Sequence, residues 1–201
     1  MSWIKHVPVE EAEGTLAVLY GRIAGPSGRP DNILTIHGLR PHTLAGHMAL
    51  YKAVLHHGAN TLSSLLLETL AVWVSLLNGC DYCVQHHLAG LNRVVGDEEQ
   101  TTGMLAALQS KNLASAFDSK TIAALRYAEK LTRAPASMAQ VDVERLRVQG
   151  FDDGEILELN QVTSYFAYAN RTVLGLGVEL GDEALGLSPE TSEDPDDWRH
   201  Q

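Results

Sequence analysis

The sequence predicts an all-α protein, a compact bundle of roughly eight helices with a Cys-x-x-Cys pair at the N-terminus of one of them. Apolar residues recur at helical spacing almost throughout the chain, and no stretch alternates between apolar and polar residues for long enough to predict a sheet. Glycine and aspartate interrupt the pattern at regular places. Every connection except that from Gly25 to Arg40 is short, which is typical of a bundle.

The predicted helices follow one another with clear boundary signals. A Gly-Pro-Ser-Gly loop follows the first, Asn78-Gly79 ends the third, and Asp118 can cap the sixth. The stretch from Gly150 to Gly154 separates the last two, and Gly175 and Gly177 can divide the last one in two. The predicted helices cover Val9–Ile23, Pro41–His57, Leu62–Leu77, Asp81–Val95, Glu98–Gln109, Ser119–Thr132, Val141–Gln149 and Asp153 to about Leu180.

The composition predicts one helical domain, residues 1–186, followed by an acidic C-terminal tail, residues 187–201. The chain has 201 residues, 45% of them hydrophobic, which suffices for one sizeable core. The tail carries little to bury, so we expect a mobile or partner-bound arm. Its acidic residues are Glu190, Glu193, Asp194, Asp196 and Asp197.

Charge and hydropathy indicate the compartment and the class of partner. With 15 basic and 25 acidic residues the net charge is −10, which disfavours binding to nucleic acid or to an anionic membrane surface. No signal-peptide pattern opens the chain, and no apolar run reaches the ~18 residues of a membrane span. We therefore expect a cytoplasmic protein that acts on a small neutral substrate or on another protein.

The two cysteines of the chain, Cys80 and Cys83, are the strongest indication of chemistry. A lone Cys-x-x-Cys in a reducing compartment is either a transient disulfide or half of a metal site. Cys80 falls at the start of a predicted helix, where free N–H groups and the helix dipole stabilise a thiolate. We expect a redox-active dithiol.

Two further side chains are predicted to serve the dithiol. His87 lies four residues after Cys83, a spacing at which helical side chains meet, so its imidazole can accept the thiol proton. Glu68 lies among leucines on the preceding helix, where a carboxylate needs a partner. If the two helices pack as a hairpin, Glu68 can reach His87 and complete a relay from carboxylate to imidazole to thiol. His86 points about 100° away from His87 and is the weaker candidate.

Two other interpretations of the cysteines remain. With His86 and His87 they supply four possible zinc ligands, but one helix cannot direct all four to a tetrahedral centre. They can also be inert buried thiols. Which cysteine attacks also stays open, because helix position favours Cys80 as the low-pKa thiol and the histidine spacing favours Cys83.

The set Glu68, Cys80, Cys83 and His87, with its spacing E-x11-C-x2-C-x3-H, resembles the active-site signature of the alkylhydroperoxidase D (AhpD-like) family within the carboxymuconolactone decarboxylase superfamily. Other stretches, such as His37-Gly-Leu-Arg-Pro41 and Asn170-Arg171, resemble the peroxidase-related branch of that family. The resemblance extends from about residue 7 to residue 180. One position departs from it, because Tyr82 stands where the best-known member has a histidine.

The resemblance implies a peroxiredoxin-like alkylhydroperoxidase that reduces organic hydroperoxides to alcohols in antioxidant defence. Cys83 would attack and become a sulfenic acid, which Cys80 would resolve as a disulfide, while His87 and Glu68 would move the proton. No cofactor is expected; an external lipoyl-bearing or thioredoxin-like dithiol protein would reduce the disulfide. The family also implies a homo-oligomer, a trimer or a hexamer. The alternatives are a carboxymuconolactone decarboxylase-type enzyme and a non-enzymatic thiol redox sensor or assembly protein.

Overall fold

The structure is a computed structural model that describes residues 2–24 and 28–199. Within these ranges it contains nine α-helices and no β-strand, which confirms the predicted all-α bundle. None of the helices in the described part of the chain is long and apolar enough to cross a membrane. The helices are α1 Gly14–Ile23, α2 Asn32–Thr35, α3 Pro41–Leu55, α4 Ser64–Asn78, α5 Asp81–Val95, α6 Glu98–Ser110, α7 Ser119–Arg133, α8 Gln140–Val148 and α9 Asp153–Leu176.

The observed helices differ from the predicted ones at three places. The first helix begins at Gly14, because Val9–Glu11 form a separate 3-10 turn. The short α2 was missed, since four residues are too few to show a helical period. The last helix continues through Gly175 and stops at Gly177, whose φ of 60° is left-handed, so the first glycine does not break it and the second ends it.

The centre of the bundle is α4. Every residue from Leu67 to Ser75 is buried, so the helix is enclosed on all sides by its neighbours α5, α7 and α9. The indole of Trp73 donates a 2.9 Å hydrogen bond to the carbonyl of Leu125 on α7, which leaves that buried N–H satisfied. The hairpin of α4 and α5 is thereby fixed on the core of the protein.

The chain after α9, residues 178–199, is here called the C-terminal segment, and it packs against the helices. The side chain of Trp198 is only 6% exposed and joins a small apolar cluster with Leu16, Leu44 and Met48 of α1 and α3. This differs from the mobile or partner-bound arm expected from its acidic composition. A single buried indole can hold a segment that is otherwise rich in acidic side chains, and the sequence of such a segment shows no periodic pattern.

Polar contacts fasten the same segment beside the end of α3. The Ser192 N–H donates to the carbonyl of His56 at 3.2 Å, and the Ser192 carbonyl accepts from the Gly58 N–H at 3.0 Å. The ammonium of buried Lys52 donates to the Glu190 carbonyl. The segment therefore closes the side of the bundle on which α3 and α5 lie, and the division of the chain at residue 186 stays a prediction.

Candidate functional site

The turn between α4 and α5 sets the position of the cysteines. Ser63 caps α4, its hydroxyl accepting a hydrogen bond from the Leu66 N–H at 3.3 Å. Gly79 ends α4 with a φ of 70°, a conformation that a residue with a Cβ adopts only with strain. Cys80 is the N-cap of α5, and Cys83 lies in the first turn. The predicted Cys-x-x-Cys at a helix N-terminus is confirmed.

The two thiols are free, buried and coupled to each other. Their exposed fractions are 0% for Cys80 and 4% for Cys83. A hydrogen bond from the Cys83 thiol lowers the pKa of Cys80, although burial works in the opposite direction. The same hydrogen bond, together with burial, raises the pKa of Cys83. The first negative charge of the pair therefore resides on Cys80.

Asn170, a fully buried residue of α9, contacts both cysteines. Its side chain hydrogen-bonds to both cysteines and lowers the pKa of Cys80. Its amide nitrogen also donates to the Ser75 hydroxyl at 3.1 Å, and its carbonyl accepts from the Asn78 amide at 2.9 Å. Asn170 thus ties α9 to the end of α4 and to the dithiol. Only the resemblance of the Asn170-Arg171 pair to the family pattern drew attention to this residue, and that resemblance did not predict the role.

Glu68 and His87 meet as the hairpin packing predicts. Nδ1 of His87 lies 2.8 Å from Oε2 of Glu68, and both side chains are largely buried. The carboxylate packs closely against α5 at Gly90, where a Cβ would lie 3.0 Å from the carboxyl group. The His87 ring meets Phe166 edge-on, with 4.6 Å between centroids. The imidazole is therefore held in one orientation.

These groups face a cavity, here called the thiol pocket. Cys83, Glu68 and His87 line one side of it, whereas Cys80 lies behind Cys83 and does not line it. The remaining walls combine aliphatic, polar and aromatic side chains. The aromatic ones come from α3, α5, α9 and the C-terminal segment and are Tyr51, Tyr82, Tyr165, Phe166 and Trp198. A molecule in this pocket can reach the sulfur of Cys83 before that of Cys80.

A second group of ionisable side chains lies at the same pocket. Its members are Asp31 just before α2 and His86 of α5, which line the pocket, and Glu183 of the C-terminal segment, which contacts His86 from outside the lining; they are here called the Asp31 cluster. His86 Nδ1 lies 3.9 Å from Asp31 Oδ2, and His86 Nε2 lies 3.4 Å from Glu183 Oε1. Neither carboxylate was predicted as a site residue, since both lie in irregular segments far apart in sequence.

The two carboxylates of this cluster differ in acidity. Burial raises the pKa of Asp31 to about 6, although His86 works against the shift. Burial also works to raise the pKa of Glu183, but hydrogen bonds from His86 and Tyr82 outweigh it and lower that pKa. Asp31 is consequently the weaker acid and the readier to hold a proton near neutral pH.

Tyr82 has a structural role in this arrangement. Its hydroxyl accepts a 3.1 Å hydrogen bond from the Ile33 N–H and also bonds to the Glu183 carboxylate. Burial raises the pKa of Tyr82, so the phenol stays protonated and donates to Glu183. The residue that departs from the family pattern therefore connects α5 with the C-terminal segment.

The predicted site residues fall into two layers. Glu68, Cys83 and His87 share the pocket, and Cys80 lies directly behind them. Their catalytic roles stay predictions. Within the described residues, no group of three or more His, Cys, Asp or Glu side chains has an arrangement that could hold a metal ion.

Comparisons with known proteins agree with this geometry. Residues 41–130 match the carboxymuconolactone decarboxylase family. A peroxidase-related protein from Silicibacter sp. TM1040 is 26% identical, with a TM-score of 0.77 over 90% of this chain and 92% of its own. An AhpD-core, peroxidase-related protein from Ralstonia eutropha JMP134 is 22% identical, with a TM-score of 0.78 over 90% and 93%.

A third solved structure with this fold has a different named activity. The debrominase Bmp8 is 16% identical, with a TM-score of 0.70 over 88% of this chain and 91% of its own. No curated protein sequence matches the chain. The family match over residues 41–130 and the two peroxidase-related structures support the carboxymuconolactone decarboxylase superfamily, and within it the AhpD-like, peroxidase-related branch, as the group that this chain resembles.

Proposed function

We propose that this protein is a thiol-dependent peroxidase that reduces organic hydroperoxides through a Cys80/Cys83 dithiol–disulfide cycle. The observation that carries the proposal is that Cys83 opens into the same pocket as the Glu68–His87 pair, with Cys80 in hydrogen-bond contact behind it. A nucleophile, a base with its orienting carboxylate and a second thiol are thus assembled at one place.

In the first step, we assign the attack to Cys83 because a peroxide in the pocket reaches this sulfur. The resting charge lies on Cys80, so the Cys83 proton must leave first, either to Cys80 or to His87, which Glu68 orients. The thiolate attacks the terminal peroxide oxygen, a sulfur–oxygen bond forms, and the oxygen–oxygen bond breaks. Sulfur is oxidised to a sulfenic acid, and the alkoxide takes up a proton to leave as the alcohol.

In the second step, Cys80 resolves the sulfenic acid. Its thiolate attacks the Cys83 sulfur, the disulfide forms, and the hydroxyl leaves with one proton as water. Asn170 favours the thiolate form of Cys80 at this step, because its hydrogen bond lowers the pKa of that thiol. The reaction therefore consumes one hydroperoxide and two thiols, and yields one alcohol, one water and one disulfide.

The disulfide must be reduced by an external dithiol, and we propose a lipoyl-bearing or thioredoxin-like protein for this role. No bound cofactor enters the cycle. We further propose a cytoplasmic, trimeric or hexameric enzyme of antioxidant defence, as the family resemblance implies.

A second candidate function is the reduction of a halogenated aromatic ring by the same dithiol. The aromatic walls of the thiol pocket, among them Tyr51, Tyr165 and Trp198, suit a planar substrate. The fold is shared with a debrominase, for which a complex with 2,3,4-tribromopyrrole is known. Two electrons from the dithiol would replace the halogen by hydrogen and release halide.

The test is turnover of cumene hydroperoxide with a small dithiol as reductant, in wild type, Cys80→Ser and Cys83→Ser. We expect both variants to lose turnover. Cys80→Ser should still consume one equivalent and accumulate a sulfenic acid that dimedone traps, whereas Cys83→Ser should consume none. If Cys83→Ser is the variant that forms the trapped acid, the assignment of the two cysteines is reversed.

The wild-type protein separates the functional alternatives. Turnover of hydroperoxide supports the peroxidase. Halide release from 2,3,4-tribromopyrrole without peroxide turnover supports the second candidate. Stoichiometric oxidation without turnover would point to a redox sensor, and free thiols after peroxide treatment would leave the decarboxylase-type alternative.

A further inference from the structure

The Asp31 cluster is an acid–base group that the thiol chemistry above does not use. Its side chains are 19%, 9% and 5% exposed for Asp31, His86 and Glu183. Asp31 and His86 nevertheless line the thiol pocket together with Cys83 and His87. Three ionisable groups removed from water beside a reactive sulfur require an explanation.

The arrangement of the cluster allows one proton to move. Each ring nitrogen of His86 faces a carboxylate, Asp31 on one side and Glu183 on the other. A neutral imidazole has a single N–H and can donate to only one of them. The other carboxylate is then satisfied if it carries the proton itself, so the same proton can reside on His86 or on Asp31.

The two carboxylates differ in how firmly their neighbours hold them. Glu183 is held by His86 and Tyr82 and accepts the Gly181 N–H at 3.2 Å, so it is fixed in place. Asp31 faces His86 across 3.9 Å, which is beyond a direct hydrogen bond and leaves its carboxyl group able to turn toward the pocket. The other ionisable groups around Asp31 are His87, Tyr51 and Tyr82, and Arg29 also lines the pocket.

The reduction of a peroxide is assisted by an acid that protonates the departing oxygen. When the oxygen–oxygen bond breaks, the departing alkoxide is a strong base and leaves far more readily if it is protonated at the same moment. His87 is engaged with Glu68 on the thiol side, where a proton has to be taken up. An acid on another wall can serve the far end of the same peroxide.

We propose that Asp31, reloaded through His86, is the proton donor to the alkoxide leaving group, and that Glu183 is a positioning residue for His86. The proposal rests on the peroxidase function above and adds the second half of its proton transfer. Asp31 gives its proton to the alkoxide oxygen and becomes a carboxylate. The carboxylate then turns back toward Nδ1 of His86 and receives a proton from it, and solvent returns one to His86.

The pKa of Asp31 supports this role. A value of about 6 leaves a useful fraction of the carboxyl group protonated near neutral pH, whereas an ordinary aspartate would have almost none. The sign follows from the role. A proton donor acts below its pKa, so its contribution should decline as pH rises through about 6.

The test uses leaving groups that differ in their need for a proton. In Asp31→Asn, kcat/KM for cumene hydroperoxide should fall on the order of 100-fold, because an alkoxide must leave without an acid. For peracetic acid, which releases a carboxylate, kcat/KM should remain close to wild type. A loss confined to the alkyl hydroperoxide cannot come from misfolding or from damaged thiols.

The pH dependence and two further variants complete the test. The quantity to follow is kcat/KM for cumene hydroperoxide divided by kcat/KM for peracetic acid. In wild type this ratio should fall between pH 5 and pH 7, and in Asp31→Asn it should not change with pH. Glu183→Gln should lower the ratio less than Asp31→Asn does, and Asp182→Asn, an exposed neighbour, should leave it unchanged.

Two outcomes would overturn the proposal. Equal losses with both substrates in Asp31→Asn would mean a structural role, and unchanged kcat/KM with both would mean none. If wild type turns over neither substrate, the peroxidase function itself fails and this inference falls with it. A wild type that reduces both, with a selective loss in the variant, supports the two together.

Discussion

The α4–α5 hairpin and the C-terminal segment build opposite walls of the thiol pocket in different ways. The hairpin is regular, and its helix α4 is buried over its whole middle, so Glu68 and the cysteines are positioned by many small contacts. The C-terminal segment has no regular structure and depends on a few anchors, chiefly Trp198 and Lys52. From this difference we expect the C-terminal segment to open more readily than the hairpin.

The largest effect should come from breaking the hairpin's carboxylate–imidazole pair. Glu68→Gln keeps the shape of the side chain but removes the charge that orients and stabilises the His87 imidazolium. We expect kcat/KM for cumene hydroperoxide to fall about 100-fold or more, with little change in the melting temperature. Glu98→Gln, on the exposed first turn of α6, is the matched control and should have no effect. Equal activity in the two variants would remove Glu68 from the mechanism.

The next prediction concerns the space that Glu68 occupies. Gly90→Ala places a Cβ 3.0 Å from the carboxyl group and should displace it, at a cost of about 1–3 kcal/mol in the free energy of unfolding. Gly103→Ala, in α6 with nothing within 4 Å, should instead stabilise the protein by about 0.5–1 kcal/mol. Chemical denaturation measures both. Equal and stabilising effects would mean that the Glu68 carboxyl group adapts freely.

A third prediction tests the anchor of the C-terminal segment. Trp198→Ala removes the buried indole and should cost about 3 kcal/mol of the free energy that docks the segment. Limited proteolysis should then cut within residues 178–199, while hydrogen exchange in α4 and α5 stays slow. Trp3→Ala, at a position 76% exposed, is the control. Simultaneous loss of protection in the hairpin would show that the two walls unfold together.

The smallest effect concerns the stability of the fold at acid pH. Burial lowers the pKa of His56 to about 3, whereas in the unfolded chain it is near 6.5. The unfolded state therefore binds more protons between these values, and stability should decline as pH falls from 6.5 toward 3. His56→Gln should reduce the decline by about 1.4 kcal/mol per pH unit at most, seen in melting temperatures at pH 7.5 and 5. Exposed His42→Gln is the control, and an identical decline in both would contradict the prediction.

The helices and the Glu68–His87 contact could be predicted from the sequence, because hydrophobic periodicity and residue spacing determine them. Seven of the predicted helices begin within a few residues of the observed ones, and Glu68 meets His87 because two regular helices joined by Gly79 have little freedom in how they pack. The thiol side of the pocket followed from the same regularity. The order of acidity within the dithiol did not, because it depends on the orientation of a hydrogen bond between two sulfurs.

The pocket wall that contains Asp31 and the C-terminal segment could not be predicted from the sequence, and the reason is physical. Asp31 and Glu183 lie in irregular segments, and their positions depend on long-range contacts such as that of the Asn32 amide with the Glu179 carbonyl, 2.9 Å. The acidic C-terminal residues looked solvated, because composition averages over a segment and one tryptophan hardly changes the average. His86 was considered the weaker histidine because only its angle to His87 was known.

The three tryptophans of the chain occupy three different environments. Trp3 is exposed, Trp73 is sealed in the core with its N–H bonded to α7, and Trp198 lies 6.1 Å from the Tyr51 ring at the pocket wall. Solvent relaxation and ring contacts control indole fluorescence. Trp198 is therefore a built-in optical reporter, whose emission should respond to a molecule entering the pocket or to lifting of its own segment, against a constant background from Trp73.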